Sequence, residues 1–370
     1  MKRSQAEKPW YTGFQPVTAG GLGLARLTVS LTLLFFLIPG DGFTHYRFLS
    51  DLPSGFYAPP PGPMQLFGEF PPFFLFVFLH SLILLSGVAM LIGYRTKVSS
   101  LVCGFSLLLL QGILFSVGKI DHEILVPLVP IVMAFSNWGA AWSADAVTGR
   151  KEEEVQSWPL ALMALLIGFM MFTAGFPKLL GGWLDPATQA AQSHVLNQFY
   201  GRGRQDLLAT FAAGVHQPFL WELLDWFTVL FELFFLAALF RPVWFRMFLG
   251  LAVLFHTGTM LSMNIAFLPN FAAYLLFLNW DGVNQIVSGA GSSEQEDEQM
   301  QGRRGYLRVI LASVFLLLFF AILTWAGRSG LWSGHSDLQL HEIVLVGMAA
   351  IYVVVTSVHS VIRYCIDHLP

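Results

Sequence analysis

The sequence predicts an all-α integral membrane protein, a polytopic bundle of about nine or ten transmembrane helices. Composition is the first reason: of 370 residues, 55% are apolar and 12% are charged, about half the charge an ordinary soluble domain carries. The second is the recurrence of apolar runs of about 20 residues, the length that crosses a bilayer's hydrocarbon core. The third is the asymmetry of Lys and Arg between the loops that join those runs.

Taken in order, the first run covers 20–39, behind Lys2, Arg3 and Lys8, and ends at Pro39 and Gly40. It lacks the small-residue cleavage site of a secretory signal and reads as a retained span. Further spans are expected at 72–92, 98–116, 124–142, 159–177, 219–240, 242–262, 307–327 and 341–359. The shorter stretch 264–280 reads as either a full span or a re-entrant segment. The resulting organisation is a cytoplasmic N-terminal segment (1–19), a transmembrane core (20–282), a linker (283–306) and a C-terminal pair of helices (307–370). The linker is acidic and polar from Ser292 to Glu298, which marks a solvated segment.

With 264–280 counted as a span, Arg95 and Lys97, Arg150 and Lys151, Arg241 and Arg246, and Arg303 and Arg304 share the N-terminal side. The positive-inside rule makes that side cytoplasmic, in a plasma or inner membrane. The outer side then receives Tyr46 and Arg47, the turn 118–123 and the long connection 177–218, which become the places to look for function. A formal net charge of -3 offers no basic stripe for nucleic acid, so lipid and small molecules are the expected partners. Cys103 and Cys365 have no spacing suited to a metal, and none is expected.

An ionisable side chain inside a span is costly unless it pairs, snorkels or lines a wet cavity. Arg26, His80, Asp225, Glu232 and His256 fall within expected spans, while Asp121, His122 and Lys178 fall at outer ends. Arg26 suits either a site or a helix-holding role, His80 alone suits a helix contact, and Glu222 with Asp225 suits the outer interface. Glu232 lies deep among Phe and Leu and needs a partner such as Arg26 or a histidine, so that Arg26, Glu232 and His256 are expected to share one network. Lys178 reads either as a snorkelling interface lysine or as a base, because an amine set among apolar groups gives up its charge readily.

These residues, in this order, resemble the HTTM (horizontally transferred transmembrane) domain family, which includes the vitamin K-dependent γ-glutamyl carboxylases. The likeness runs from about residue 20 to 282. It is carried by Leu91-Ile92-Gly93-Tyr94-Arg95-Thr96-Lys97, by Asp121-His122-Glu123, by Glu232 and His256, and most sharply by Ala174-Gly175-Phe176-Pro177-Lys178-Leu179-Leu180-Gly181-Gly182-Trp183. The resemblance implies a reduced naphthoquinone of the vitamin K type as cofactor. Lys178 would be the base that deprotonates it for reaction with oxygen, and His122 would position the quinol or the carboxylated group. Arg26, Asp121, Glu232, His256 and Trp183 would support the site.

The chain departs from the carboxylase pattern in carrying Asp121 where a second asparagine stands, and a single Lys178 after Pro177 where lysines are paired. The residues after Asp281 have neither the length nor the polarity of the carboxylase's lumenal substrate-binding domain. The resemblance therefore implies a quinol-binding core, and leaves a peptide or small-molecule carboxylation substrate unassigned. Two other readings stand beside this one, a small-molecule or lipid carrier and a non-catalytic assembly protein whose polar residues hold helices together. Repeat halves, which many carriers show, are not visible.

Overall fold

A computed structural model describes residues 17–34, 42–117, 122–149 and 154–288. Its helices are α1 (Ala19–Thr32), α2 (Gly42–Ser50), α3 (Phe73–Ile92), α4 (Thr96–Leu114), α5 (Leu125–Met133), α6 (Ala144–Val147) and α7 (Trp158–Leu180). They continue with α8 (Ala190–Leu196), α9 (Ala209–Ala213), α10 (Pro218–Ala238), α11 (Pro242–Met263), α12 (Leu268–Tyr274) and α13 (Trp280–Ser288). Among the described residues there is no strand, only an isolated bridge between Ala58 and Val117. The all-α class read from the sequence is correct.

Helices α3, α4, α7 and α11 are long and apolar enough to cross a membrane. Phe74, Phe78, Leu85, Phe105 and Phe169 stand largely exposed on them. On a soluble protein such side chains would be a liability, whereas in a bilayer they face hydrocarbon. Helix α10 has the length of a span, but it carries Glu222, Asp225 and Glu232. The expected span at 124–142 is corrected: α5 ends at Met133 after the internal Pro130, and left-handed backbone at Asn137 (φ 59°) and Trp142 (φ 54°) turns the chain. The segment 264–280 is likewise not one continuous helix, because Asn264 (φ 53°) ends α11 and α12 passes into a short 3-10 turn, Leu275–Phe277. The expected spans at 307–327 and 341–359 lie outside the described residues, as does most of the linker; α13 runs through the linker's first residues.

The chain divides into two compact units, and α7 passes from one to the other between Met163 and Ala164. The first unit comprises the described residues up to Met163 and those from Ala272 onward. In it, α1 packs on α3 and α13, and α4 lies between α3 and α5. Arg26, fully buried, donates from Nη1 to the Trp138 carbonyl at 3.1 Å and from Nη2 to the Trp142 carbonyl. The family-like loop 91–97 is a helix stop and start: Gly93 takes the left-handed conformation (φ 75°), and the Asp145 carboxylate accepts from the amides of Arg95 and Thr96 at 3.0 and 2.7 Å. Tyr46, buried, places its hydroxyl 3.2 Å from His80 Nδ1, which gives His80 the helix-contact role.

The second unit runs from Ala164 to Phe271. Helices α10 and α11 interlock through phenylalanines, with Phe231 against Phe248 and Phe255 (centroids 5.8 and 5.7 Å apart) and Phe235 against Phe245 (6.0 Å). Helix α8 is anchored on one side by Ala191 and Val195, buried in a cluster with Ala212, Ala213 and Trp221. Asp206 and Asn264 tie the 201–208 loop to the end of α11: the Asp206 amide donates to Asn264 Oδ1 at 3.0 Å, and Asn264 Nδ2 donates back to the Asp206 carbonyl at 2.9 Å.

Candidate functional site

The site is built where the Lys178 motif ends α7. At Gly175 the backbones of α7 and α10 come close, since a Cβ placed there would stand 2.8 Å from the Cβ of Glu232 and 3.1 Å from the Leu233 amide nitrogen. Glycine permits that approach. One turn later the Lys178 ammonium meets the same helix, donating to both carboxylate oxygens of Glu232 at 2.5 and 2.6 Å. The Glu232 side chain is 5% exposed and the lysine side chain 24%. Glu232, with Phe and Leu about it, thus has its charge compensated by Lys178. The expected partner for Glu232, Arg26 or a histidine, is corrected on this point.

Beyond Lys178 the chain doubles back for a local reason. The Gly181 amide donates to the Pro177 carbonyl at 2.8 Å and the Trp183 amide to the Lys178 carbonyl at 3.2 Å, while Gly182 adopts φ 80°. This cap turns Trp183 over the lysine, with Nζ 5.0 Å from the centre of its ring. The Gly-Gly-Trp part of the motif thus serves to set an aromatic plate against the ammonium.

On the same plate rests His194, a residue the sequence reading did not single out. Its ring centroid lies 5.3 Å from that of Trp183 at an interplanar angle of 36°. His194 projects from α8, whose first amides, Ala190 and Ala191, donate to the two oxygens of buried Asp225 at 2.9 and 2.7 Å. Asp225 therefore caps a neighbouring helix rather than facing the interface. Although much of His194 is exposed, the partial burial of its ring lowers its pKa. The Lys178 charge adds to that lowering, and Asp225 opposes it.

A pocket of about 380 Å³ opens here, lined by Gly181, Trp183, Thr188, Ala190, Ser193, His194 and Asn197. Its volume falls in the range of about 300–1,000 Å³ usual for small-molecule sites. Among its lining residues, Thr188, Ser193, His194 and Asn197 carry polar side chains. The Thr188 hydroxyl already donates to the Gly182 and Asp185 carbonyls, and that of Ser193 to the Gln189 carbonyl.

Of the residues singled out from sequence, Lys178, Glu232 and Trp183 come together. Arg26 lies in the first unit, bound to carbonyls. His256 lies buried among Phe255, Phe267 and Phe271, where Asn270 Nδ2 stands 3.2 Å from its Nε2, so that the amide donates and the ring nitrogen accepts. The single network expected of Arg26, Glu232 and His256 is therefore corrected, with Glu232 committed to the lysine. His122 opens the 3-10 turn His122–Ile124 that leads into α5, and Asp121 is outside the described residues.

Against known families, the HTTM domain matches residues 14–281. The chain belongs to the HTTM domain family. That match covers the Lys178 motif, Glu232 and the α8 pocket together, so the geometry just described is part of the family's membrane domain. No curated protein and no solved structure matches the chain.

Proposed function

We propose that this HTTM protein is a multi-pass membrane enzyme that oxidises a reduced naphthoquinone with molecular oxygen, Lys178 being the base. The observation that carries this reading is the ion pair of Lys178 and Glu232 against Trp183, beside a pocket of small-molecule size. The fit is of three kinds: an indole ring among the lining residues, a base set against that indole, and polar side chains lining the same pocket. When bound, the naphthoquinol would be oxidised by oxygen to quinone epoxide and water, one oxygen atom ending in each product.

The protein's part is to manage a proton. An ammonium chelated by a carboxylate has no lone pair, so Lys178 becomes a base only once its proton has passed to Glu232. Exclusion of water favours the resulting neutral pair, since two isolated charges are costly in an apolar medium. The neutral amine then takes a hydroxyl proton from the bound quinol, with Glu232 as the store of the first proton. Trp183 holds the ring plane and shields the amine from bulk water. Coupling to carboxylation of a peptide or small molecule belongs to the same proposal, as do an outward-facing site and a cytoplasmic N-terminus.

Oxygen uptake with a reduced naphthoquinone, measured for the purified protein in lipid, tests this. Lys178→Ala should lose turnover, with partial recovery on adding a small primary amine, and His122→Ala reports whether that residue shares the work. Wild-type turnover in Lys178→Ala would remove the mechanism. If turnover is absent from the wild type but stability falls in the variant, the residue is a helix-holding one and the assembly reading takes its place.

A further inference from the structure

Resting on that reading, we propose that His194 and Asn197 form the recognition edge of the pocket, hydrogen-bonding the second ring oxygen of a flat aromatic diol or dione whose ring lies along Trp183. Among the described residues neither side chain has a hydrogen-bond partner, while the pocket's two hydroxyls donate to backbone carbonyls. Both side chains are exposed, so their polar atoms are open to a ligand in the pocket they line.

Their placement is built rather than incidental. They stand three residues apart on α8 and its continuation, so they share one helix face. The helix that carries them is held in place: Ala191 and Val195 are buried, and Asp225 clamps the amides at its start. His194 is thereby held with its ring against Trp183, whose ring also receives the Lys178 ammonium. One aromatic plate thus links the base to an edge of hydrogen-bonding groups. A ligand with an oxygen at each end of one ring meets both requirements.

The chemistry of the two side chains fits both redox forms of such a ligand. A neutral imidazole carries one donor and one acceptor, and a primary amide carries both as well. Either can accept from a hydroxyl of the reduced ring or donate to a carbonyl of the oxidised one. A fixed cation or carboxylate at this place would favour one form alone.

The test compares 1,4-naphthoquinol with its mono-methyl ether, 4-methoxy-1-naphthol, by displacement of a photoreactive naphthoquinone from the full-length protein in lipid nanodiscs. The wild type should prefer the diol by about tenfold, the size of one net hydrogen bond. His194→Ala should lose most of that preference while binding the ether as before, and His194→Gln, which keeps a donor and an acceptor, should restore part of it. A loss that is equal for both ligands, or no loss at all, overturns the assignment, as does labelling that misses the 183–197 region. A melting curve of His194→Ala matching wild type shows that the change is local. If oxygen uptake depends on Lys178 but diol preference is independent of His194, this inference alone fails. If diol preference depends on His194 but oxygen uptake is independent of Lys178, the proposed enzyme mechanism fails and the binding edge stands.

Discussion

Arg26 and Lys178 are both cations set among apolar helices, and the molecule satisfies them in different ways. Arg26 is fully buried, and its guanidinium reaches the main-chain carbonyls of Trp138 and Trp142. Carbonyls take up no proton at ordinary pH, and guanidinium gives up none. Such an arrangement can fasten a helix to a loop but cannot change its protonation. Lys178 is partly exposed, faces a carboxylate that can accept its proton, and lies on a tryptophan at the edge of a pocket. In the mechanism proposed for Lys178, what separates it from a structural cation is the partner, more than the depth of burial.

The largest effect should come from setting the two against each other in the same assay. Truncating Lys178 to Ala should lower quinol-dependent oxygen uptake by about 10²–10⁴-fold, the usual contribution of a positioned base. Arg26→Met, measured per folded molecule, should leave uptake within about twofold, because a side chain that fastens a loop changes the folded population and not the chemistry. Equal losses of turnover in the two variants would erase the distinction between them.

Stability should sort the pair in the other direction. Arg26→Met strands two carbonyls in the interior, and at about 1–3 kcal/mol for each unsatisfied group the variant should lose about 2–6 kcal/mol, read as a lowered melting temperature in detergent. The double change Lys178→Met with Glu232→Gln removes both charges and should cost less than Lys178→Met alone, since breaking an ion pair from one side leaves an uncompensated charge. A single variant as stable as the double would mean that Glu232 is not held as a carboxylate by the lysine.

A smaller effect should come from wedging the helices apart. Valine at Gly175 would press on the Cβ of Glu232 and the amide of Leu233, at an expected cost of about 1–3 kcal/mol for overpacking. Uptake should fall as well, because Lys178 sits one turn further along and depends on that spacing to reach Glu232. Full activity with unchanged melting in Gly175→Val would show that the close approach is dispensable.

How much of this was legible in the sequence depends on how local each signal is. The apolar runs of α3, α4, α7 and α11 announce themselves, because a span is a contiguous feature. The run at 124–142 misled for the same reason: hydropathy sees Leu, Val and Ile but weighs Pro130 and the turns at Asn137 and Trp142 too lightly. Lys178 and Trp183 were readable as a motif because five residues and one capped turn join them. Glu232 was readable as a charge in want of a partner, yet which cation it meets is decided by the α7 and α10 contact at Gly175, across 54 residues of chain. His194 carried no local pattern at all; only its place in the long 177–218 connection, already marked as a region for function, pointed to it. The role of Asp225 was hidden likewise, since a helix cap supplied by another helix has no spacing rule.

The smallest expected effect concerns pH, and it separates the two cations once more, because Lys178 has a titrating neighbour on its tryptophan whereas the Trp138 and Trp142 carbonyls that Arg26 donates to do not titrate. Burial and the Lys178 charge lower the pKa of His194 in the folded protein, with Asp225 pulling the other way. In the unfolded chain a histidine titrates at about 6.5. Between those two values the unfolded state binds more protons than the folded one, so stability rises with pH across that window. The contribution is fully present above about pH 6.5 and is lost as pH falls through the lower, folded value. Below it, an imidazolium stands near the Lys178 ammonium, which also weakens any donor and acceptor balance at the pocket wall. Melting temperature recorded from pH 7.5 to 5 should therefore fall slightly more in the wild type than in His194→Gln, whose amide does not titrate. The same substitution in an Arg26→Met background should produce the same difference, since Arg26 is not among the groups that shift His194 and sites without shared partners add. Identical pH profiles for wild type and His194→Gln would mean that the ring is as free in the folded protein as in the unfolded chain, and that the plate formed by Trp183 does not hold it.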